Sequence, residues 1–224
     1  MTNSEGTHRA AAVVLAGGSG ERFGGPKFRA TFLSRSLLDW AVDLVRELCD
    51  PVVVTLPEGE VWNGPDGVDV VVGGSSRAES LENGLDAVGQ LASVVVIHDV
   101  IRPLATVSQV ISVIEAVEQG ADAATMAWTP PDTVKKVDRP SGLVKHLGRQ
   151  DLRIAHGPTA ARVATLRRAI ERLGNLGVEE TVGVEKIGGL VRTVDGDPWS
   201  HHIVTPQDLM LAELVALHRS DGNN

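Results

Sequence analysis

The sequence predicts an α/β protein of the three-layer sandwich type, in which helices cover both faces of a mostly parallel, Rossmann-like sheet. Short continuous apolar runs, typical of strands buried on both faces, alternate with segments whose apolar residues recur at the helical period. Capping boxes at 76–79, 106–109 and 205–208 mark three helix starts. Strands and helices that alternate in this way form parallel sheets, because each crossover returns the chain to the same end of the sheet.

The elements follow one another regularly as far as Trp128. The predicted strands span residues 11–16, 51–56, 68–72, 93–98, 121–128 and 190–194. The predicted helices span residues 37–48, 76 to about 85, 110–118, 160–173 and 205 to about 218. After Trp128, prolines and glycines interrupt two short extended pieces at 133–137 and 143–147, which indicates a hairpin-like arm at about 132–156. We therefore expect a polar tail at 1–10 and a single domain at 11–224 that carries this arm.

Composition excludes several classes of protein. The chain has 224 residues, which suits one domain, and its 42% hydrophobic and 22% charged residues are those of a globular protein. The net charge of −8 and the scarcity of aromatic residues argue against nucleic-acid binding. No apolar stretch is long enough to span a membrane, and a signal peptide is not recognisable, which predicts a cytoplasmic protein. The single cysteine, Cys49, excludes an internal disulfide and a cysteine-based zinc site.

The first chemical signal is a glycine-rich loop at residues 17–27, directly after the first strand. Glycines allow backbone N–H groups to approach an anion closely, and open sheets bind their ligands at the carboxyl ends of parallel strands. The loop also carries two cations, Arg22 and Lys27, which suit a triphosphate. The alternative is a glycine-rich connector whose charges are solvated.

The two common phosphate-binding motifs do not fit this loop. A Walker A loop would end in Gly-Lys-Ser/Thr, and none is present. The dinucleotide-binding pattern fails as well, because the third glycine would fall on Phe23.

Four motifs together resemble a known family. The glycine-rich loop is similar to the G-x-G-x-R…P-K loop of the sugar-nucleotide pyrophosphorylase-like nucleotidyltransferases. Three further segments resemble the cytidylyltransferases among them: Gly73-Gly74-x-x-Arg77-x-x-Ser80, His98-Asp99-Val-Ile-Arg102-Pro103 and Asp132-Thr133-Val-Lys135. The chain most resembles the 2-C-methyl-D-erythritol 4-phosphate cytidylyltransferases of the non-mevalonate isoprenoid pathway, to which the ribitol-phosphate cytidylyltransferases are close. This resemblance extends from residue 11 to residue 217.

The resemblance implies a nucleotidyltransferase fold and a cytidylyltransferase activity. The expected reaction transfers CMP from CTP to the phosphate of 2-C-methyl-D-erythritol 4-phosphate, with release of pyrophosphate. The expected cofactor is Mg²⁺, and the expected assembly is a homodimer that exchanges its arms. The alternatives are a cytidylyltransferase that uses ribitol 5-phosphate or another phosphorylated acceptor, and a homologue that binds nucleotide without catalysis.

The same resemblance assigns roles on the nucleotide side. Arg22 and Lys27 would stabilise the charge on the triphosphate in the transition state. The expected nucleotide contacts are Ala16, Gly17, Gly18, Gly20, Gly74, Ser75 and Ser80. For Ser80, the alternative is an ordinary serine on a helix surface.

On the acceptor side, the resemblance assigns Asp99, Arg102, Thr133, Arg149 and His202 to acceptor binding. Asp99 would also lie beside a Mg²⁺ ion that the CTP phosphates hold; its alternative role is to cap the following turn. For Arg102, the alternative is a structural salt bridge with Asp99. Thr133 and Arg149 belong to the arm, and Arg149 would act on the site of the neighbouring subunit.

The acceptor side departs from the family pattern at three places. His202 replaces the lysine of the family's N-I-K segment, and a neutral imidazole is a weaker phosphate ligand than an ammonium group. Protonation by the phosphates, or another cation, would compensate. The family's T-P-Q is Gly-Pro-Thr at 157–159, and its T-D-[DE]-A is Val-Glu-Glu-Thr at 178–181.

Overall fold

A seven-stranded, mostly parallel sheet forms the centre of the molecule, and the predicted fold class is confirmed. The computed structural model describes residues 10–18, 20, 22–174 and 179–220. Of the predicted tail at 1–10, residues 1–9 lie outside the described residues, and Ala10 belongs to the first strand instead. The strands are β1 (Ala10–Leu15), β2 (Thr31–Phe32), β3 (Arg35–Ser36), β4 (Cys49–Leu56), β5 (Val68–Val72), β6 (Val94–Asp99), β7 (Ala123–Trp128), β8 (Val134–Val137), β9 (Val144–Leu147), β10 (Ile154–Arg162) and β11 (Val191–Asp195). The helices are α1 (Leu37–Arg46), α2 (Arg77–Val88), α3 (Val107–Glu118), α4 (Val163–Leu173), α5 (Glu180–Lys186) and α6 (Pro206–Ser220). A 3-10 turn at Lys27–Arg29 closes the glycine-rich loop, and another spans Arg149–Asp151.

The order of strands in the central sheet is β11-β7-β10-β6-β1-β4-β5. All neighbouring pairs are parallel except those of β10, which is antiparallel to both β6 and β7. In the parallel pair β1–β6, Leu15 lies opposite Asp99, so both strands end at the same edge. That edge is where parallel sheets bind ligands.

Helices cover the sheet on two sides, each over its own apolar core. One core joins the inward side chains of α1, α3 and α6 to alternate residues of β1, β4 and β6. The other joins α2, α4 and α5 to the intervening residues of the same strands. Because successive side chains of a strand point to opposite faces, continuous apolar strands fill both cores.

Helix caps bear out two of the three predicted capping boxes. Thr106 and Gln109 exchange side-chain and backbone hydrogen bonds at the start of α3, and the box at 205–208 has the same pattern at α6. At α2 only half of the box forms: Ser76 Oγ accepts the N–H of Glu79. The Glu79 carboxylate reaches one residue further back instead and accepts hydrogen bonds from the N–H and Oγ of Ser75, each at 2.7 Å.

The predicted helix at 160–173 is wrong in its first part. The segment Ile154–Arg162 is strand β10, which inserts between β6 and β7, and α4 begins only at Val163. The small residues Ala160 and Ala161 are fully buried in the sheet. Sequence analysis also missed the short hairpin β2–β3 and helix α5.

The hairpin β8–β9 forms a separate two-stranded sheet after β7. Its apolar side chains are largely solvent-exposed, at 54% for Val137 and 61% for Val144. The arm therefore has no packing partner that buries these residues within the described part of the subunit. Among the described residues, no helix combines the length and the apolarity needed to cross a membrane.

Candidate active site

A cavity of about 400 Å³ opens at the carboxyl edge of β1 and β6. Its walls come from three segments: the glycine-rich loop after β1, the loop that precedes α2, and the end of β6. The lining includes Ala16, Gly17, Gly18, Lys27, Gly74, Ser75, Ser76, Arg77, Ser80 and Asp99. Six of the seven predicted nucleotide contacts thus line one cavity, and Gly20 is the one that is absent from its lining.

Gly20 organises the glycine-rich loop from behind. Its carbonyl oxygen accepts the N–H groups of Phe23 and Gly24 at 2.8 and 2.9 Å, which turns the chain back on itself. Its φ of 67° lies in the left-handed region, and a Cβ here would stand 1.8 Å from the carbonyl oxygen of Gly25. Only glycine fits this position. Residues 19 and 21 of the loop lie outside the described residues.

The two predicted catalytic cations are neighbours. Lys27 lines the cavity, and its Nζ donates to the carbonyl oxygen of Ile203 at 3.3 Å. Partial burial, followed by the positive charge of Arg22, lowers the pKa of Lys27. Arg22 itself is exposed. Two cations this close repel each other, so an anion between them would relieve both.

Ser80 is not a surface residue, and that alternative is wrong. It is 5% exposed, and its Oγ accepts the N–H of Gly74 at 3.0 Å while it donates to the carbonyl oxygen of Ser76 at 2.9 Å. The hydroxyl therefore fixes the shape of the loop that lines the cavity. Gly17 approaches the same hydroxyl from the other side, because a Cβ on Gly17 would stand 3.4 Å from Ser80 Oγ.

A second cavity of about 420 Å³ adjoins the first, and Arg77 and Asp99 line both. Its other walls come from β10, the start of α5 and the segment before α6. They include Arg102, His156, Gly157, Thr159, Glu179, Glu180, Ser200, His201 and His202. The three segments that depart from the family pattern thus converge on this one cavity, although Val178 lies outside the described residues.

Asp99 and Arg77 form the wall between the cavities together with Glu180. The guanidinium of Arg77 pairs with Asp99 through Nη1, and with Glu180 through Nη2 at 3.0 Å. Glu180 is 2% exposed, and it also accepts a hydrogen bond from Thr159 Oγ1. The two carboxylates raise the pKa of Arg77 against the effect of its burial. The alternatives for Asp99 and for Arg102 are therefore wrong. The Asp99 carboxylate pairs with Arg77 and does not cap the following turn, and Arg102 forms no salt bridge with Asp99 among the described residues.

Arg102 stands inside the second cavity and is held by the backbone. Its Nη1 donates to the carbonyl oxygen of Ser200 at 2.9 Å, while its buried Nε has no partner among the described residues. Burial is the main reason that its pKa is lowered. A guanidinium that lines a cavity suits an anionic ligand.

His202 lines the same cavity, in the place that the resemblance gives to a lysine. Desolvation and then the positive charges of Arg102 and Lys27 lower its pKa, which favours the neutral imidazole at pH 7. Two further histidines, His156 and His201, line this cavity too. Nothing in the sequence pattern predicted that these two would join His202.

The two predicted acceptor residues of the arm lie elsewhere. Neither Thr133 nor Arg149 belongs to the lining of either cavity, and both are exposed. Arg149 donates through Nη1 to the carbonyl oxygen of Pro131, at the base of the arm. Within one subunit the structure therefore does not bring these residues to the site.

Sequence analysis missed Arg77, Glu179 and Glu180 as parts of the site. Arg77 was visible as the arginine of the motif at 73–80, but no role followed from its position alone. Glu180 lies more than a hundred residues away from Arg77, and only the folded sheet brings them together. Burial, followed by repulsion from Glu180, raises the pKa of Glu179, whose carboxylate accepts a hydrogen bond from Thr125 Oγ1.

Fold and site together indicate a nucleotidyltransferase, because the glycine-rich loop and its Lys27 border the same cavity as Asp99 at the carboxyl edge of a parallel sheet. The family model described as 2-C-methyl-D-erythritol 4-phosphate cytidylyltransferase, IspD, matches residues 10–218. The chain belongs to this family, whose members are cytidylyltransferases.

Individual relatives agree with the family model. The chain is 37% identical to the 2-C-methyl-D-erythritol 4-phosphate cytidylyltransferase of Rubrobacter xylanophilus, over 94% of this chain and 96% of the relative. The enzyme of the same name from Streptomyces avermitilis is 35% identical, over 96% and 95%. The crystal structure of the Thermus thermophilus enzyme superposes with a TM-score of 0.78 at 28% identity, over 93% of this chain and 99% of that chain.

Proposed function

We propose that this protein transfers CMP from CTP to the phosphate of 2-C-methyl-D-erythritol 4-phosphate and releases pyrophosphate, a step of the non-mevalonate route to isoprenoid precursors. The observation that carries this proposal is the pair of adjoining cavities that share Asp99 and Arg77. One cavity has the backbone groups and cations for a nucleoside triphosphate, and the other has cations for a second phosphate. The family comparison does not favour ribitol phosphate or a non-catalytic role.

The reaction needs charge stabilisation more than proton transfer. An oxygen of the acceptor phosphate attacks the α-phosphorus of CTP, a new P–O bond forms, and the bond to the bridging oxygen breaks as pyrophosphate leaves. Because the nucleophile is already anionic at neutral pH, it requires no general base. Lys27 and Arg22 stabilise the negative charge that develops on the leaving group.

The nucleotide cavity can read cytosine with few side chains. The base presents a carbonyl oxygen and an exocyclic amine. The amine can donate to Ser75 Oγ, which remains an acceptor although its own hydrogen goes to Glu79, whereas the N–H groups of Gly74 and Ser75 are already engaged. Ser80 supports the loop rather than the base, because its hydroxyl is already engaged with Gly74 and Ser76. The glycines Gly17 and Gly18 leave room for the triphosphate.

The second cavity holds the acceptor. Arg102 lines this cavity, where its guanidinium can meet the acceptor phosphate, and His202 would become protonated when that dianion lies beside it. Asp99 offers a carboxylate oxygen to the acceptor hydroxyls, since Arg77 donates to its Oδ1.

Mg²⁺ fits this site as a companion of the triphosphate. Among the described residues, no group of three or more histidine, cysteine, aspartate or glutamate side chains could enclose a metal ion. Mg²⁺ often binds through one or two carboxylates and substrate phosphates, and Asp99 is the carboxylate that lines both cavities. When bound, Mg²⁺ would neutralise part of the charge on the phosphates.

The arm is proposed to complete the site of a second subunit. Thr133 and Arg149 lie outside both cavities of their own subunit, and the arm exposes Val137 and Val144, which a partner could cover. In an arm-exchanged homodimer, Arg149 would reach the acceptor phosphate of its neighbour. An isolated subunit would then be nearly inactive.

Two experiments test the proposed reaction and assembly. Pyrophosphate release is measured with CTP or UTP as the nucleotide and with 2-C-methyl-D-erythritol 4-phosphate, ribitol 5-phosphate or glycerol phosphate as the acceptor. We expect release with CTP and the first acceptor, and release only with another acceptor contradicts the proposal.

The second experiment tests the arm. Two variants that we expect to be inactive, Arg149→Gln and Lys27→Gln, are mixed. If Arg149 acts across the dimer, re-equilibrated mixtures regain about a quarter of wild-type activity, because half of the dimers are hybrids with one intact site. If the mixture stays inactive while hybrids form, Arg149 acts within its own subunit or not at all.

A further inference from the structure

The wall between the two cavities contains a guanidinium that two carboxylates hold on opposite sides. Arg77 is the first residue of α2, Asp99 is the last of β6, and Glu180 is the first of α5. Three separate elements therefore meet in one row of charges, Asp99–Arg77–Glu180. Arg77 follows directly on the loop that lines the nucleotide cavity, whereas Glu180 faces the acceptor cavity.

Burial of these charges costs desolvation free energy. Glu180 is 2% exposed, and its carboxylate is satisfied by Arg77 Nη2 and Thr159 Oγ1. The side chains of Arg77 and Asp99 are 33% and 19% exposed. A buried ion pair is often no more stabilising than apolar residues of the same volume, so such a row of charges is weak evidence of a role in stability alone.

Geometry shows what the row can do. Thr159 Oγ1 donates to the Glu180 carboxylate, and Glu180 in turn holds Nη2 of the guanidinium, which directs Nη1 towards Asp99. The planar fork of Arg77 thus converts the rigid position of α5 into a defined orientation of the Asp99 carboxylate. A lysine at position 77 could not engage both carboxylates with the same geometry.

We propose that Arg77 is a positioning residue for the transfer reaction: it orients Asp99 for the acceptor, and Glu180 anchors it from behind. The proposal rests on the function proposed above and on the role of Asp99 in acceptor binding. It assigns no direct contact with CTP to Arg77. Turnover of the wild-type protein is measured in the same assay. Its absence would contradict the proposed function, whereas wild-type turnover with unaffected variants would contradict only this inference.

The first test separates positioning from simple charge balance. Arg77→Gln alone leaves Glu180 buried without its cation, which threatens folding. The double variant Arg77→Gln/Glu180→Gln removes both charges, so we expect its thermal midpoint to recover most of any loss. Its kcat/KM for the acceptor should still fall about 100-fold, as is usual when a reacting group is displaced by about 1 Å, while the Kd for CTP in calorimetry changes less than about threefold. Arg77→Lys should retain more activity than Arg77→Gln.

Clear outcomes would overturn the proposal. If the double variant has wild-type kcat/KM, Arg77 serves only to neutralise Glu180. If the Kd for CTP weakens as much as kcat/KM falls, Arg77 contacts the nucleotide directly. A matched control is Arg167→Gln, which removes another guanidinium that pairs with α2, through Asp86, at a distance from both cavities. This control should leave kcat/KM unchanged.

The second test asks whether Arg77 acts through Asp99. Asp99→Asn is combined with Arg77→Gln in the Glu180→Gln background, and kcat/KM for the acceptor is measured for each member of the cycle. If Arg77 works by orienting Asp99, its removal adds less than about twofold once Asp99 is already changed. Losses that multiply independently, about 100-fold for each substitution, would show that Arg77 acts elsewhere and would overturn the proposal.

Discussion

Gly20 offers the sharpest test of how the glycine-rich loop works. In Gly20→Ala, the new Cβ would stand 1.8 Å from the carbonyl oxygen of Gly25 and 2.7 Å from its carbonyl carbon. Contacts shorter than 3.0 Å are not tolerated, so the Gly25 carbonyl has to move by about 1.2 Å or more. The backbone N of Lys27 lies only 3.5 Å from the same Cβ, so the shift reaches Lys27, a proposed catalytic cation.

The size of the effect follows from this displacement. Misplacement of a reacting group by about 1 Å costs on the order of 100-fold in rate, and an alanine in the left-handed region adds about 1–2 kcal/mol of backbone strain. We therefore expect Gly20→Ala to lower kcat/KM for CTP by about 100-fold. The same strain should lower the thermal midpoint by several degrees, since about 1 kcal/mol corresponds to about 2–4 °C in a chain of this size.

Two neighbouring glycines separate the possible causes. Gly24 has a φ of 92°, but a Cβ there meets nothing within 4 Å, so Gly24→Ala reports the backbone strain alone. Gly25 has neither a left-handed φ nor a contact within 4 Å, so Gly25→Ala reports the added methyl group alone. Pyrophosphate release should fall less than about tenfold in Gly24→Ala and less than about twofold in Gly25→Ala. Equal losses in Gly20→Ala and Gly24→Ala would refute the argument that the steric overlap moves Lys27.

Three further predictions follow from buried or shifted groups. His98 is fully buried with both ring nitrogens unpartnered among the described residues, and burial lowers its pKa to about 4. Because the unfolded chain takes up this proton near pH 6.5, about 3 kcal/mol of the free energy of unfolding should be lost between pH 6.5 and 4. Urea titrations of His98→Gln should therefore show a flatter pH dependence than those of the wild type. Burial raises the pKa of the Cys49 thiol to about 12, so a thiol reagent at pH 8 should react only after denaturation; rapid labelling of the native protein would contradict this. Because its lowered pKa leaves His202 neutral at pH 7, His202→Lys should lower the acceptor KM at pH 8 and have less effect near pH 6; an unchanged KM at both pH values would show that residue 202 does not face the phosphate.

The regular elements were predictable because their signals are local. Continuous apolar strands, capping residues and the glycine-rich loop each occupy a few consecutive residues, and the structure places β1, β4, β5 and β6 within a few residues of their predicted bounds. The nucleotide cavity was accessible for the same reason, since its lining comes from short motifs at strand ends.

The acceptor cavity was harder to predict because it depends on strand β10. Ala160 and Ala161 suit a helix as well as a strand, and Pro158 interrupts the strand pattern at the point where the pairing with β7 shifts register. Only the burial of these small residues between β6 and β7 selects the strand. Once β10 is in the sheet, Thr159 and His156 reach the cavity, and Glu180 finds Thr159 and Arg77 as partners.

The strand order explains why two ligand cavities meet at Asp99. From β1 the chain proceeds to β4 and β5 on one side of the sheet, whereas β6 and the later strands lie on the other. The loops after β1 and β6 therefore diverge, and the crevice between them is the topological switch point where open α/β sheets bind ligands. Asp99 ends β6 directly opposite Leu15 at this crevice. A carboxylate at that position lines the cavity proposed for the nucleotide on the β1 side and the cavity proposed for the acceptor on the β10 side. The same position requires a cation to hold it, and Arg77, at the start of the helix that connects β5 to β6, is placed by that same topology to supply one.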